Sequence, residues 1–131
     1  MNTSKLINVW TIQLSNWRLA KKLNIPIIDI TARSGIELFA PDFSLVMQYK
    51  NGLLNESDYT DNYINKMRYS LTRYPSVWEE LLEYNTFAFA CYCKPNVFCH
   101  RLIMTSLFEK YAASKGYTII KHGELIKSVN N

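Results

Sequence analysis

The chain lacks an apolar run long enough to cross a bilayer. After Met1 to Lys5, the first apolar stretch is short and is interrupted by Asn8 and Gln13, whereas a transmembrane helix needs about 20 consecutive apolar residues. A secretory signal peptide also needs an uninterrupted apolar centre. We therefore expect neither a signal peptide nor a membrane-bound protein.

The chain also lacks clustered charge, repeats and linkers. No five like charges cluster together, which excludes a basic nucleic-acid-binding arm. The net charge of +4 and pI near 9.0 are compatible with an anionic partner without requiring one. Because no internal repeat, low-complexity run or linker interrupts the sequence, residues 1–131 are interpreted as one domain.

Cysteine is scarce and confined to one place. The three cysteines, Cys91, Cys93 and Cys99, lie within nine positions, which is unlike the spaced cysteines of a secreted disulfide framework and indicates a reducing, cytoplasmic environment. With the adjacent His100 they offer four candidate zinc ligands, but Cys-x-Cys-x5-Cys-His is not a standard zinc spacing, so no metal or other cofactor is favoured. Cys99 is also a candidate thiolate nucleophile at a helix start. Packing alone is the favoured interpretation of Cys91.

Hydrophobic patterning predicts an α/β fold. Short apolar runs bounded by polar residues predict strands, and apolar residues at helical spacing predict helices. The predicted strands are 6–12, 25–31, 86–90 and 117–121, and the predicted helices are 16–23, 43–50, 56–71, 77–84 and 102–115, with a terminal helical turn at 124–129. Strands alternating with helices predict a single Rossmann-like, three-layer domain with a mostly parallel sheet of about four strands.

Polar residues follow each predicted strand. Because the carboxyl ends of parallel strands meet at one edge of a sheet, these side chains should line one crevice, where open α/β sheets bind ligands. Among them are Thr11, Asp29, Arg33, Ser34, Cys91, Cys93, Lys94 and His122.

Cations at this edge predict an anion site. Arg33, Lys94 and Arg101, with the N-terminus of the helix that follows Cys99, would bind phosphate or carboxylate. Ser34, Thr11 and His122 are further candidates for contacts with the anion. The alternative for Arg101 is an internal pair with Asp29 or a backbone carbonyl.

Three residues are candidate catalytic groups. His100 titrates near neutrality and can act as an acid or a base. Asp29 ends an apolar strand and could orient His100, bind a ribose hydroxyl or act as a base, or it could form a structural pair with an arginine. Cys99 is the candidate nucleophile.

These residues resemble a known family pattern. The chain resembles the family catalogued as domain of unknown function 488, found in prokaryotes and phages, through Asp29 with Arg33 and Ser34, Cys91, Cys99-His100-Arg101 and His122. The segment from Thr11 to Ser15 lacks the histidine that members often carry on the first strand. The resemblance implies a Rossmann-like fold in a prokaryotic or phage-infected cell, and it implies no particular activity.

The sequence as a whole predicts an enzyme that hydrolyses a phosphoester or N-glycosidic bond. Its substrate would be a nucleotide-like or phosphate-bearing molecule, or a segment of nucleic acid. The alternatives are a module that binds or sequesters a nucleotide without turnover, and a basic nucleic-acid-binding protein.

Overall fold

The computed structural model describes residues 5–94 and 97–127. Four strands and five α-helices follow one another in this part of the chain: β1 (Leu6–Gln13), α1 (Trp17–Lys22), β2 (Ile27–Asp29), α2 (Phe43–Lys50), α3 (Glu56–Arg73), α4 (Pro75–Leu81), β3 (Thr86–Cys91), α5 (His100–Ser114) and β4 (Thr118–Glu124). Two short 3-10 helices, Leu14–Asn16 and Glu37–Phe39, lie in the connections.

The four strands form one parallel sheet in the order β2-β3-β1-β4. The predicted α/β, Rossmann-like domain with a parallel sheet is therefore confirmed. The register places Gln13 beside Cys91 and Asp29 beside Ala90, and Thr11 beside Glu124. The ends of all four strands thus meet at one edge of the sheet, as the sequence predicts.

The sheet is covered very unequally on its two faces. One face packs against α3, α4 and α5, and this larger core contains Tyr63, Met67, Trp78, Phe87, Phe89 and Phe108. The other face packs against α1 through a smaller cluster that includes Ile12, Ala20, Ala88, Ala90 and Leu125. The small residues Ala88 and Ala90 of β3 share this cluster with Ala20 of α1. The larger core supports the helices beside the strand ends.

Helix α3 shows how local sequence builds this larger core. The side chain of Asn55 accepts a hydrogen bond of 2.8 Å from the backbone N–H of Asp58, which caps the helix. The buried residues Tyr59, Tyr63, Met67 and Ser70 recur at helical spacing. Ser70 Oγ then accepts a hydrogen bond of 3.1 Å from the indole of Trp78, joining α3 to α4.

The structure corrects several predicted boundaries. Strand β2 is shorter than 25–31, and α5 begins at His100, two residues before the predicted start. Strand β4 continues to Glu124 instead of ending near His122, because its pairing with β1 shifts between Val9 and Trp10. Glu124 is therefore a strand residue, and 125–127 are not helical, which contradicts the predicted terminal turn. Residues 128 and 129 of that turn lie outside the described residues.

No helix in the described ranges is both long and apolar enough to span a membrane.

Candidate functional site

The three cysteine thiols converge where β3 ends and α5 begins. Cys91 is the last residue of β3, Cys93 follows it in the loop, and Cys99 immediately precedes α5. Their Sγ atoms all lie within 4.8 Å of one another, and those of Cys91 and Cys99 are 2.7 Å apart. All three are free thiols, with Cys91 and Cys99 buried and Cys93 partly exposed. We call these three residues the thiol trio.

The thiol trio stabilises one thiolate. Hydrogen bonds from Cys91 and Cys99 hold the pKa of the Cys93 thiol well below its usual range, and the charge of Arg101 acts in the same direction. The reciprocal hydrogen bond with Cys93 raises the pKa of Cys91 to about 11. Hydrogen bonds with Cys91 and Cys93, together with burial, raise the pKa of Cys99. These shifts favour the thiolate at Cys93, the most exposed of the three sulfurs, and not at Cys99, the nucleophile that the sequence predicts.

Arg101 lies behind the thiol trio and is 1% exposed. Its Nη1 donates to Cys91 Sγ at 2.7 Å and to the Cys93 carbonyl oxygen at 3.0 Å. Its Nη2 donates to the Lys94 carbonyl oxygen at 3.0 Å and to Glu124 Oε2 at 3.4 Å. Its Nε donates to Glu124 Oε1 at 3.2 Å.

All five N–H donors of the Arg101 guanidinium are thus used within the protein. This geometry favours the internal-pair alternative for Arg101: two backbone carbonyl oxygens accept from it, as that alternative allowed, and its carboxylate partner is Glu124 and not Asp29. Sequence reasoning missed Glu124, because a terminal turn was predicted where the structure has the end of β4.

His100 is buried, and its hydrogen-bond partner determines which ring nitrogen carries the proton. Its Nε2 lies 2.6 Å from the carbonyl oxygen of Ile30, which can only accept, so Nε2 carries the proton. Its Nδ1 is then unprotonated and faces Cys99 Sγ at 3.6 Å and the Tyr59 hydroxyl at 3.5 Å. Burial lowers the pKa of His100 to about 4, so the ring is neutral at pH 7.

Asp29 builds a turn and does not orient His100. Its Oδ1 accepts from the backbone N–H of Thr31 at 2.9 Å, and its Oδ2 accepts from Ser34 Oγ at 2.8 Å. Ser34 Oγ is also 2.8 Å from Thr31 Oγ1 and 3.5 Å from the Tyr92 hydroxyl. The Asp29 and Ser34 side chains therefore hold together the turn that presents Arg33.

A pocket of about 480 Å³ opens in front of the thiol trio. Three cations line it, namely Arg33, Lys50 and Lys94. Aromatic rings lining it include those of Phe43, Tyr49, Tyr59, Tyr92 and Phe98. The Arg33 guanidinium lies over the Phe43 ring at 4.9 Å from its centroid, so α2 forms part of the pocket wall. Sequence reasoning missed Lys50 and Tyr59, because they lie on α2 and α3, at sequence positions distant from every strand end.

Four predicted anion-binding residues do not line this pocket, namely Thr11, Ser34, Arg101 and His122. Thr11 Oγ1 donates to Glu124 Oε1 at 2.7 Å. His122 lies 2.8 Å from Asn8 Oδ1 through its Nε2, and its ring stacks on Trp10 at a centroid distance of 4.4 Å. The structure thus brings together Arg33, Lys94, Cys93, Cys99 and His100 at the pocket. It leaves Thr11, Asp29, Ser34, Arg101 and His122 outside the pocket lining.

The thiol trio could hold a metal ion. Thiolates on a tetrahedral zinc at about 2.3 Å lie roughly 3.8 Å apart, so the 2.7 Å pair of Cys91 and Cys99 would have to separate on binding. His100 is the fourth candidate ligand in the sequence, where no metal was favoured, and its Nδ1 faces only Cys99 among the trio at hydrogen-bonding distance.

Comparison with known proteins gives one match. Neither a search of curated proteins nor a search of solved structures finds a similar protein. The family described as DUF488-N3a, the active DUF488-N3 subclade, matches residues 30–112. This range contains the thiol trio, His100, Arg101 and the residues that line the pocket. Since the match covers more than half of the chain, the protein belongs to the DUF488-N3a family, as its Cys-His-Arg segment predicts.

Proposed function

We propose that the protein is an enzyme that hydrolyses a phosphoester bond of a nucleotide-like anion, with the thiolate of Cys93 as its nucleophile. One observation supports this above others: the partly exposed Cys93, whose Sγ lies within 4.8 Å of two buried thiols, lines a pocket together with three cations. A low-pKa, accessible cysteine in an electropositive setting is typical of nucleophilic thiols.

The pocket suits a small ligand that has both an anionic group and an aromatic ring. Its volume of about 480 Å³ lies within the range of small-molecule sites. Arg33, Lys50 and Lys94 supply positive charge for a phosphate group. Tyr49 and Phe98 supply apolar ring surface on which a planar base can stack.

In the proposed reaction the Cys93 thiolate is the nucleophile in the first step and the leaving group in the second. Cys93 Sγ attacks phosphorus and the P–O bond to the leaving group breaks; the departing alkoxide takes a proton from water, which leaves hydroxide. Hydroxide then attacks the phosphocysteine, the S–P bond breaks, and phosphate and the Cys93 thiolate are released. The thiols of Cys91 and Cys99 hold the thiolate in place by hydrogen bonds. Neutral His100 keeps its Nδ1 lone pair toward Cys99.

Phosphoester cleavage is preferred here to N-glycosidic cleavage. Glycosidic cleavage generally uses a free carboxylate beside the sugar. Asp29 is the carboxylate predicted for that role, and both of its oxygens accept hydrogen bonds from its own turn. It is also absent from the lining of the pocket.

A nucleotide-binding module without turnover is the second candidate. The observation in its favour is that Arg101, Asp29 and Nε2 of His100 all form hydrogen bonds to other groups of the protein. The family description supports turnover, because the matching subclade is described as active.

A ligand screen followed by a turnover assay tests the proposal. Thermal unfolding is measured with nucleoside mono-, di- and triphosphates, and a ligand at a hundred times its Kd should stabilise the fold by about 2.7 kcal/mol. The stabilisation should be lost in Arg33→Ala and Lys50→Ala and kept in Lys22→Ala, since Lys22 is an exposed cation of α1 outside the pocket.

Release of phosphate from the stabilising nucleotide then separates the two candidates. We expect release by the wild type, none by Cys93→Ala, and unchanged binding in both. Binding without phosphate release by the wild type would establish the module instead. No stabilisation by any nucleotide would overturn both candidates.

A further inference from the structure

The two buried members of the thiol trio are close to bonding distance. Cys91 Sγ and Cys99 Sγ are 2.7 Å apart, whereas a disulfide joins its sulfurs at about 2.05 Å. Each residue is held by a secondary-structure element, Cys91 by β3 and Cys99 by the start of α5. A movement of under an ångström would therefore bring these sulfurs to bonding distance.

Cys93 is the thiol of the trio that an oxidant would reach first. Cys91 and Cys99 are 1% and 3% exposed, whereas Cys93 is partly exposed and lines the open pocket. Peroxides react with cysteine as the thiolate, and Cys93 Sγ lies within 4.8 Å of both buried sulfurs, so an oxidised Cys93 has a partner thiol close by.

We propose that the thiol trio is an oxidation site, in which a hydroperoxide oxidises Cys93 and the oxidation passes to Cys91 and Cys99. The end product is a disulfide between Cys91 and Cys99, with Cys93 returned to the thiolate. The trio would thereby protect its exposed sulfur from irreversible oxidation.

The chemistry balances in three steps. The Cys93 thiolate attacks the terminal oxygen of ROOH, the O–O bond breaks, Cys93 becomes a sulfenic acid, and RO⁻ takes a proton to leave as ROH. The thiol of Cys99 attacks the Cys93 sulfur and water leaves, forming a Cys93–Cys99 disulfide. Cys91 then attacks Cys99 Sγ, releases the Cys93 thiolate and gives up the proton that RO⁻ required. One hydroperoxide and two thiols thus yield one disulfide, ROH and water.

The direction of the last step follows from distance and from the position of each sulfur. The exchange releases the partly exposed Cys93 and leaves the disulfide between the two buried sulfurs. The attacking sulfur, Cys91, already lies 2.7 Å from Cys99 Sγ. Arg101 Nη1 lies 2.7 Å from Cys91 Sγ and stabilises its charge as it loses its proton.

The sequence permits a direct assay by chymotryptic mapping. Cleavage after Phe89, Tyr92 and Phe98 places each cysteine on its own peptide. Reduced protein is treated with one equivalent of hydrogen peroxide, alkylated, digested and analysed by mass spectrometry. We expect the peptide of Cys91 joined to that of Cys99, alkylated Cys93, and recovery of all three thiols with dithiothreitol.

Single substitutions test the order of the steps. In Cys93→Ser we expect thiol loss to slow by at least about tenfold, because the thiolate that reacts first is absent. In Cys91→Ser the product should remain at Cys93–Cys99, because the exchange partner is missing. Melting temperatures identify any variant that fails to fold, and Cys93→Ala serves as a second variant at the entry position.

Three results would overturn the proposal. They are oxidation of Cys93→Ser at the wild-type rate, sulfinic acid at Cys93 with the other two thiols free, and no loss of thiols in the wild type. The proposal shares the Cys93 thiolate with the proposed function but needs no substrate. A protein that oxidises as described yet hydrolyses no nucleotide would contradict the proposed function alone.

Discussion

The imidazole of His100 donates a hydrogen bond of 2.6 Å from Nε2 to the backbone carbonyl oxygen of Ile30. This bond joins the first turn of α5 to the residue that directly follows β2. Since β2 and β3 are neighbours in the sheet, it fixes both sides of the pocket to each other. The buried imidazole therefore contributes to the site through this hydrogen bond, as a neutral ring.

The first prediction concerns pH and stability. An unfolded histidine has a pKa near 6.5, and burial lowers the folded value to about 4. Between pH 4 and pH 6.5 the unfolded chain binds a proton on His100 that the folded chain does not bind. The free energy of unfolding therefore has its full value above pH 6.5 and decreases as the pH falls toward 4. A difference of this size corresponds to about 3 kcal/mol. Urea unfolding from pH 7 to pH 4 measures it.

His100→Gln provides the matched control for that measurement. The glutamine amide can still donate to the Ile30 carbonyl but does not titrate, so this part of the pH dependence should disappear. An equal loss of stability in His100→Gln between pH 7 and pH 4 would assign the effect to other groups.

The second prediction concerns the reactivity of Cys93. Because hydrogen bonds from Cys91 and Cys99 lower its pKa, Cys93 should remain a thiolate well below neutral pH. Its alkylation by iodoacetamide should change little between pH 5.5 and pH 8, whereas an ordinary cysteine of pKa about 8.5 slows roughly tenfold per unit in that range. Peptide mapping gives the rate for each cysteine, and glutathione serves as the reference thiol. An ordinary pH profile at Cys93 would show that the trio does not stabilise its thiolate.

Periodicity and the parallel-sheet rule predicted the fold and the location of the pocket. Both depend on local pattern, and the family match over residues 30–112 agrees with the Cys-His-Arg segment. Those same rules could not predict that Asp29 bonds to Ser34 instead of His100, because that choice depends on the conformation of a six-residue turn. Glu124 was missed because a shift in β4 pairing carries the strand past His122.

The third prediction tests the turn that carries Arg33. A Cβ at Gly35 would lie 2.4 Å from the Thr31 nitrogen and 2.7 Å from the Asp29 oxygen, both backbone atoms that cannot move aside cheaply. Gly35→Ala should therefore destabilise the protein by roughly 1–3 kcal/mol, the cost typical of forced overpacking, and weaken nucleotide binding. Urea unfolding and ligand-induced thermal shifts measure the two effects.

Gly52→Ala is the control for the change at Gly35. Gly52 has a φ of +73° and open space around its Cβ position, outside the pocket. It should cost about 1–2 kcal/mol from backbone strain alone and leave binding unchanged. Equal effects of the two substitutions on binding would show that the turn does not position Arg33.

The fourth prediction separates structure from binding at Arg101. Its guanidinium is 1% exposed and bonded to Glu124, Cys91 and two carbonyl oxygens. Removing one partner of such a buried pair typically costs about 3–5 kcal/mol, because the other charge is left unpaired. Arg101→Met should therefore lower the free energy of unfolding by that amount, and Arg101→Lys should restore little of it, because an ammonium cannot reproduce the planar fork.

The double variant Arg101→Met/Glu124→Gln completes this test by removing both charges. If the pair is structural, the double variant should be more stable than Arg101→Met alone, since no unpaired carboxylate remains. Nucleotide-induced stabilisation should then persist in the double variant, because Arg101 does not line the pocket. A double variant that folds stably but is no longer stabilised by the nucleotide would instead show that Arg101 binds the anion, as the sequence predicts. The comparison therefore decides whether the buried arginine supports the loop between β3 and α5 or binds the ligand itself.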